Sequence, residues 1–242
     1  MSTQAVGSAI EFPAIGHKLT IACISAATLL AVFAISHSMP HVYCAVSILL
    51  LYNRYPKLAA GNAVFTIGCS VLLSLGIGLV PRTIDAALYA LDIRLGSNPL
   101  LWILTVQSSS LIHWPAKVAY DGFLIVLTLT CLASRNPERF YLKIITAAAL
   151  GFMIYFAFPA CGPRYYLTGQ LATAPRNAMP SLHFTWAILQ WIENRAQSLP
   201  VRVASDAFLI FTLLATLGSG EHYVVDLLAA VPFALLIHRC LK

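Results

Sequence analysis

Long apolar stretches recur along this chain, and they constrain its fold more than any other feature. A helix that crosses the hydrocarbon core of a bilayer, about 30 Å thick, needs about 20 consecutive apolar residues. Eight stretches approach that length, at 17–36, 40–54, 58–80, 117–134, 140–160, 180–197, 203–219 and 222–240. Because they fill most of the 242 residues, little room is left for a separate soluble domain. The sequence therefore predicts an all-α, polytopic membrane helical bundle of about eight transmembrane helices.

The number of spans is open at one point. The stretch 40–54 is short, so it either extends at its ends or is partly re-entrant, and seven spans are the alternative. The first stretch, 17–36, is interpreted as an uncleaved span rather than a signal peptide, because of its length and its single flanking charge, Lys18.

Composition and charge exclude several classes of function. Charged residues make up 10% of the chain, where soluble domains average about 25%. The net charge of +6 is scattered without a basic run, so no binding of nucleic acid is expected. The six cysteines form no CxxC pair and no dense spacing, which argues against a zinc site and a disulfide framework. We therefore predict a membrane protein with no metal and no cofactor.

The distribution of Lys and Arg predicts how the bundle is oriented. If all eight stretches cross, one side carries ten of these residues and the other side carries five. Cytoplasmic loops carry the excess, so both termini are expected in the cytoplasm and the loops 81–116 and 161–179 on the extracytoplasmic side. In the first of these loops, Asp85 and Asp92 interleave with leucines at helical spacing, which predicts a short helix on the membrane surface.

Two polar motifs stand where spans meet the extracytoplasmic surface. Polar groups at such positions are costly, so they are functional candidates. The first motif runs from Pro175 to His183 and opens the sixth span, with Pro180 placed as a first-turn proline. The free amides and the positive dipole end of that helix, near Ser181, would bind phosphate readily.

The second motif runs from Gly218 to Asp226 and joins the last two spans. His222 and Asp226 share one helical face, so the carboxylate can hold the imidazole in one tautomer and favour its positive form. Both motifs and the loop 161–179 lie at the same membrane surface if the eight stretches cross. Their side chains can therefore converge on one phosphate ester. The predicted site residues are His183, His222, Asp226, Arg164, Arg176 and Ser181.

The two motifs resemble the second and third signature motifs of the type 2 phosphatidic acid phosphatase superfamily of integral membrane enzymes. The residues that carry the resemblance are Pro180-Ser181-x-His183 and Gly220-x-His222-Tyr223-x-x-Asp226. The sequence Met-Pro-Ser-Leu-His is most similar to the motif of the branch that contains inositol phosphorylceramide synthases. The resemblance implies a six-helix catalytic core over 58–242, with an N-terminal pair of transmembrane helices over 1–57 as an addition.

The resemblance also implies a chemistry, the metal-independent transfer of a phosphoryl group. By this likeness His222 would attack phosphorus, Asp226 would orient it, and His183 would protonate the leaving group. The phosphohistidine would then pass to water, as in a lipid phosphatase, or to an alcohol, as in a headgroup transferase. The implied partners are a lipid-phosphate substrate and membrane lipids, with an alcohol acceptor in the second case.

The chain departs from the family at its cations. The first family motif, Lys-x6-Arg-Pro, is absent, and the usual Ser-Arg of the third motif is replaced by Ala215-Thr216. Arg164 and Arg176 are predicted to bind the phosphate in their place. The departure also keeps a different class of function open, a non-enzymatic binder or transporter of lipid phosphates.

Overall fold

The computed structural model describes residues 39–52 and 54–242, and within them every regular element is a helix. The helices are α1 (Met39–Tyr52), α2 (Pro56–Leu79), α3 (Asp85–Arg94), α4 (Pro99–Ser108), α5 (Ser110–Asp121), α6 (Phe123–Ala133), α7 (Pro137–Ala157), α8 (Pro163–Thr168), α9 (Leu182–Asn194), α10 (Leu199–Gly218) and α11 (Val224–Cys240). The all-α prediction is confirmed for this part of the chain. The predicted span 17–36 lies outside the described residues, and each of the other seven predicted stretches coincides with a helix or, for 117–134, with the α5–α6 pair.

Among the described residues, three helices, α2, α7 and α10, are long and apolar enough to cross a membrane. The α5–α6 pair qualifies as a fourth span if it is counted as one, with a bend of 61° at Gly122. The central helix α9 has 13 residues, which at about 1.5 Å per residue extend only about 20 Å. The apolar helices fit a membrane protein, while the count of eight crossings, the two-part division and the orientation stay predictions.

The outer surface of the bundle is apolar where a soluble protein would be polar. The 24-residue helix α2 buries only Ala59, Asn62 and Gly76. On its other face, the exposed fractions of Val64 and Ile67 are 73% and 58%. A continuous apolar surface of this length suits contact with lipid chains rather than water.

Helix α9 lies at the centre of the bundle and carries the first motif. It packs against α6, α7, α10 and α11. Its side chains are buried on almost every face, and Trp186 donates its indole N–H to the carbonyl oxygen of Ile144 in α7 at 3.0 Å. This buried hydrogen bond fixes the position of α9 along α7.

Helix α3 confirms the predicted helix, but its aspartates do not face water. Asp85, Leu88 and Asp92 are buried on one face, whereas Leu91 and Leu95 are exposed by 44% and 56%. The spacing of three and then four residues places the buried set on one side of the helix. Both carboxylates face inward, because they are hydrogen-bonded inside the protein.

Helices α4 and α10 approach so closely at Gly218 that a methyl group would not fit between them. A Cβ atom built on Gly218 would lie 2.3 Å from Cγ1 and 2.5 Å from Cβ of Val106. The missing side chain of Gly218 therefore permits this helix contact.

We expect Gly218→Ala to lower the midpoint of thermal unfolding in detergent, because overpacking of a close contact costs about 1 to 3 kcal/mol. For a chain of this length that corresponds to a fall of about 2 to 12 °C. Gly68→Ala in α2 is the control, since no atom lies within 4 Å of its Cβ position. Equal midpoints for the two variants would contradict the close contact.

Candidate active site

The two polar motifs meet at one end of the bundle, where α9 and α11 begin. The amide of Ser181, just before α9, lies 3.4 Å from the carbonyl oxygen of Asp226 in α11. The imidazole of His222, just before α11, reaches back to the carbonyl oxygen of Ala178 in the first motif. The structure therefore brings together two segments that lie about forty residues apart in the chain.

The hydrogen bonding of His222 defines its tautomer. Its Nδ1 atom lies 2.8 Å from the carbonyl oxygen of Ala178 and 3.7 Å from Oδ2 of Asp226. A carbonyl oxygen can only accept, so Nδ1 carries the proton of the neutral ring and Nε2 carries a lone pair. Among the described residues Nε2 has no hydrogen-bond partner, although it is buried. The side chain is thus arranged to present a free, basic nitrogen.

Asp226 supports His222 by charge more than by a hydrogen bond. A separation of 3.7 Å is an ion-pair distance but is too long for a hydrogen bond. Its Oδ2 atom instead accepts the amide of Tyr223 at 2.7 Å, which closes the first turn of α11. The sequence assigned the choice of tautomer to Asp226, but the backbone carbonyl of Ala178 makes that choice, because it is nearer to Nδ1.

His183 stands in the first turn of α9 and is held by aromatic contacts. Its ring stacks on Tyr120, with 4.4 Å between centroids and 23° between planes, and meets the edge of Phe123 at 5.3 Å. The hydroxyl of Tyr120 donates to Oε2 of Glu221 at 2.5 Å. Because Glu221 directly precedes His222, Tyr120 connects the two histidine segments.

Ser181 is fully buried and caps α9. Its Oγ accepts the amide of Phe184 at 3.4 Å, which satisfies one of the free N–H groups at the start of the helix. The structure therefore shows Ser181 as the cap of α9, while its contact with phosphate stays a prediction. The positive dipole end of α9 lies at the same position.

The two predicted phosphate-binding arginines differ in their surroundings. Arg164 is exposed at the start of α8, and its backbone amide donates to the carbonyl oxygen of Gly220 at 2.8 Å. Within the described residues its guanidinium makes no hydrogen bond. The Cζ atom of Arg164 lies 5.7 Å from the centroid of the Tyr165 ring. Arg164 therefore has donors available for an anion beside the His222 segment.

Arg176 is buried, and most of its donors are already bound to the protein. Nε donates to the carbonyl oxygen of Val80 at 2.9 Å, and Nη1 donates to Leu171 at 2.7 Å and also to Ala174. Nη1 further lies 3.1 Å from the sulfur of Cys161. These bonds tie the loop 161–179 to the end of α2, and the predicted phosphate contact of Arg176 stays untested.

Two cavities flank Tyr120 at this end of the bundle. The polar cavity, about 280 Å³, is lined by Gln107, His113, Lys117, Tyr120, Arg164 and Ser219 among others. The apolar cavity, about 240 Å³, is lined by Phe65, Leu73, Tyr120, Phe152, His183 and Trp186 among others. Lys117 pairs with Asp121 at 2.7 Å, and both cavities share Asp121 as a wall. Lys117 was not among the predicted site residues, since its position in a broken span gave no motif.

The buried aspartates of α3 are the main feature that the sequence did not reveal. Asp85 accepts the amides of Cys161 and Gly162, the latter at 2.8 Å, and the hydroxyl of Tyr223 at 3.0 Å. It thereby fixes the start of the loop that carries Arg164. The available signal was the shared helical face of Asp85 with the apolar Leu88.

Asp92 holds the start of α11 in the same manner. Its two oxygens accept the amides of Val224 and Val225 at 2.8 and 3.0 Å. Burial raises the pKa of the Asp92 carboxyl, and the two amide hydrogen bonds oppose that rise. The N-terminus of α11 is therefore occupied by a carboxylate of the protein.

Gly162 allows the Arg164 loop to lie directly on the His222 segment. Its φ angle is +104°, and a Cβ atom there would come within 2.3 Å of the carbonyl oxygen of Glu221. Only glycine combines that backbone angle with so close an approach. The loop and the histidine segment are thus in backbone contact.

The neighbouring thiol and the acidic groups offer no alternative chemistry. Burial, with the nearby Asp85 carboxylate, raises the pKa of Cys161 to about 11, so the thiol stays protonated near neutral pH. In the part of the chain that the structure describes, no three His, Cys, Asp or Glu side chains are grouped to hold a metal ion. The histidines stay the predicted reactive groups of this site.

We expect Asp92→Asn to loosen the first turn of α11, because each carboxylate oxygen accepts one amide and the NH2 group that replaces one of them cannot accept. Hydrogen exchange at the amides of Val224 and Val225 should become at least about tenfold faster, as a bond to a charged acceptor contributes about 1.5 to 3 kcal/mol. Asp85→Asn should act in the same direction at Cys161 and Gly162 but through the loss of its charge, because Oδ1 alone accepts both amides and asparagine keeps one oxygen. Hydrogen exchange with mass spectrometry on the full chain measures both effects.

Asp206→Asn is the matched control for these variants. Asp206 also accepts two hydrogen bonds, from Trp191 at 2.7 Å and Arg195 at 2.6 Å, but towards the opposite end of α10 from Gly218. Its loss should leave exchange at the four amides unchanged. Unchanged exchange in Asp85→Asn and Asp92→Asn as well would show that the α3 aspartates do not hold these segments.

Comparison with known proteins gives one match. A family model described as the PAP2 superfamily matches residues 86–240, which is more than half of the chain. The matched part runs from α3 to α11 and includes both motifs and the Arg164 loop. No curated protein and no solved structure matches the chain.

Proposed function

This chain belongs to the PAP2 superfamily, and from that premise we propose that it is a metal-independent membrane enzyme that hydrolyses or transfers a lipid-linked phosphate. The family and the apolar helices fit a membrane phosphatase-type enzyme. The observation that carries the finer proposal is the free Nε2 of His222, held by the bond from Nδ1 to Ala178 beside the Asp226 carboxylate.

The first step forms a phosphohistidine. Nε2 of His222 attacks phosphorus, and a nitrogen–phosphorus bond forms while the bond from phosphorus to the leaving oxygen breaks. The imidazole becomes positive, and the carboxylate of Asp226 at 3.7 Å stabilises that charge. His183 donates a proton to the leaving oxygen, which departs as a neutral alcohol.

The second step releases the phosphoryl group. His183, now neutral, accepts a proton from a water molecule or an alcohol as that oxygen attacks phosphorus. The nitrogen–phosphorus bond breaks and His222 returns to its neutral tautomer. The product is inorganic phosphate with water, or a new phosphate ester with an alcohol.

In this proposal the phosphate is bound by Arg164 and by the start of α9. Arg164 offers a guanidinium free of protein acceptors, and the start of α9 at Ser181 offers its positive dipole end. The site lies at the ends of membrane-embedded helices, a depth that suits a lipid headgroup. The position of the site, together with the smaller number of Lys and Arg residues in the loops on its side, supports an active site on the extracytoplasmic face.

A second candidate is a headgroup transferase, as in the inositol phosphorylceramide synthase-like branch. The observation that favours it is the polar cavity, which lies on the other side of Tyr120 from the apolar cavity and is lined by Lys117, Arg164 and Gln107. Such a cavity has room for a polar substituent on phosphorus or for an alcohol acceptor. A new phospholipid in the presence of an alcohol, instead of free phosphate alone, would identify this activity.

We expect His222→Asn to abolish turnover of lipid phosphates, with a loss of at least about a thousandfold for removal of a covalent nucleophile. The amide of asparagine can still donate to the Ala178 carbonyl, so the fold should be retained. The assay measures phosphate release and new lipid species. In wild-type protein, acid-labile phosphate should appear on His222 during turnover, and vanadate should inhibit.

His238→Gln is the control, because His238 lies near the other end of α11, 3.5 Å from the amine of Lys143. It should keep full activity. Turnover by His222→Asn at the wild-type rate would end the enzymatic proposal. Lipid binding or movement without turnover in the wild type would support the non-enzymatic binder instead.

The two arginines should separate binding from stability. Arg164→Ala should raise KM or lower kcat/KM by about tenfold or more while the unfolding midpoint stays within about 1 °C, because its guanidinium is exposed and unbonded. Arg176→Ala should lower the midpoint by several degrees, since it leaves buried carbonyl groups without donors. The reverse result would assign the phosphate to Arg176.

A further inference from the structure

We propose that Tyr120 and Glu221 are a positioning pair that orients His183 for proton transfer to the leaving group. The inference rests on the proposed function, because it takes His183 as the proton donor. It adds two residues that are neither the catalytic histidines of the two motifs nor among the phosphate-binding groups. Their contacts with the two histidine segments carry the argument.

The ring of His183 is held by aromatic faces. In the described part of the chain its ring contacts are the stack on Tyr120, the edge of Phe123 at 5.3 Å and Trp186 at 6.1 Å. Of these, the stack on Tyr120 is the closest at 4.4 Å and the most nearly parallel. The orientation of the imidazole therefore depends chiefly on the position of the Tyr120 ring.

The position of the Tyr120 ring depends in turn on Glu221. The phenolic hydroxyl donates to Oε2 of Glu221 at 2.5 Å across 101 residues of chain. A bond to a carboxylate is about twice as strong as one between neutral groups. Tyr120 lies at the end of α5 beside the bend at Gly122, where a helix end without this bond would have more freedom.

Glu221 is itself fixed on both sides. Its amide lies 3.3 Å from Oγ of Ser219, and its backbone packs on Gly162 so closely that a Cβ there would not fit. The next residue is His222. The pair therefore links the segment that carries His222 to the ring of His183, and it fixes the position of one imidazole relative to the other.

This arrangement predicts an effect on the proton-transfer step in particular. A lipid alcohol is a poor leaving group and must be protonated as it departs, whereas 4-nitrophenolate is a stable anion that departs without a proton. A misaligned His183 therefore slows the cleavage of an alkyl phosphate much more than that of an aryl phosphate. General loss of structure would slow both equally.

The test compares variants on two substrates, a dialkylglycerol phosphate in mixed micelles and 4-nitrophenyl phosphate. Tyr120→Phe keeps the ring and removes the hydroxyl, and Glu221→Gln keeps an acceptor but removes the charge. We expect Tyr120→Phe to lower kcat on the lipid at least about tenfold, with KM and the aryl rate changed less than about threefold. Glu221→Gln should lose less, because the amide oxygen still accepts the hydroxyl.

Tyr120→Leu and Tyr166→Phe complete the series. Tyr120→Leu removes the stacked ring and should resemble His183→Ala, with a large loss on the lipid and a smaller loss on the aryl phosphate. Tyr166→Phe removes a hydroxyl at the same end of the bundle from a ring that packs on Tyr89, 5.4 Å away, so it should leave both rates unchanged.

Two results would overturn the positioning pair. An equal loss of kcat on both substrates in Tyr120→Phe would show a merely structural role. An unchanged rate on the lipid in both Tyr120→Phe and Glu221→Gln would show that the pair has no role in positioning His183. Failure of the proposed function looks different, since wild-type protein would then turn over neither substrate or His222→Asn would remain active.

Discussion

The hydrogen bond from Nδ1 of His222 to the carbonyl oxygen of Ala178 is the interaction on which the candidate site depends. It joins the segment before α9 to the segment before α11, and it leaves Nε2 as the only basic nitrogen of a neutral ring. A backbone acceptor is well suited to this task, because its position is set by the chain and it cannot itself become protonated near neutral pH. In the proposed mechanism Asp226 then acts through its charge when the ring becomes positive.

The surrounding structure keeps that bond in place by burying carboxylates at backbone amides. Asp85 and Asp92 lie two helical turns apart on one face of α3, and they hold the Arg164 loop and the first turn of α11. A buried carboxylate is costly unless N–H and O–H donors surround it, and here each has at least two. The cost is therefore offset only when the loop, α3 and α11 adopt their native arrangement together, which makes the site geometry cooperative with the fold.

Tyr120 occupies the boundary between the polar and the apolar cavities, and its two ends have different partners. The ring face contacts His183, and the hydroxyl contacts Glu221. A lipid phosphate has the same division, with apolar chains on one side of phosphorus and polar substituents on the other. In the proposed function the two cavities would take these two parts of the substrate; His183 lies in the wall of the apolar cavity, and His222 lines neither cavity.

Hydropathy and spacing alone determined the all-α architecture, the helices that the described stretches form, and the pairing of the Ser181 and His183 motif with the His222 motif. These are local properties, since apolar runs and first-turn residues act within a few positions of the chain. The tertiary structure decided the rest: Ala178 as the acceptor for His222, the buried bonds of Arg176, and the inward face of α3. The long-range contacts among them join residues between 44 and 138 positions apart. They depend on how each helix is rotated against its neighbours, which no periodicity in the sequence specifies.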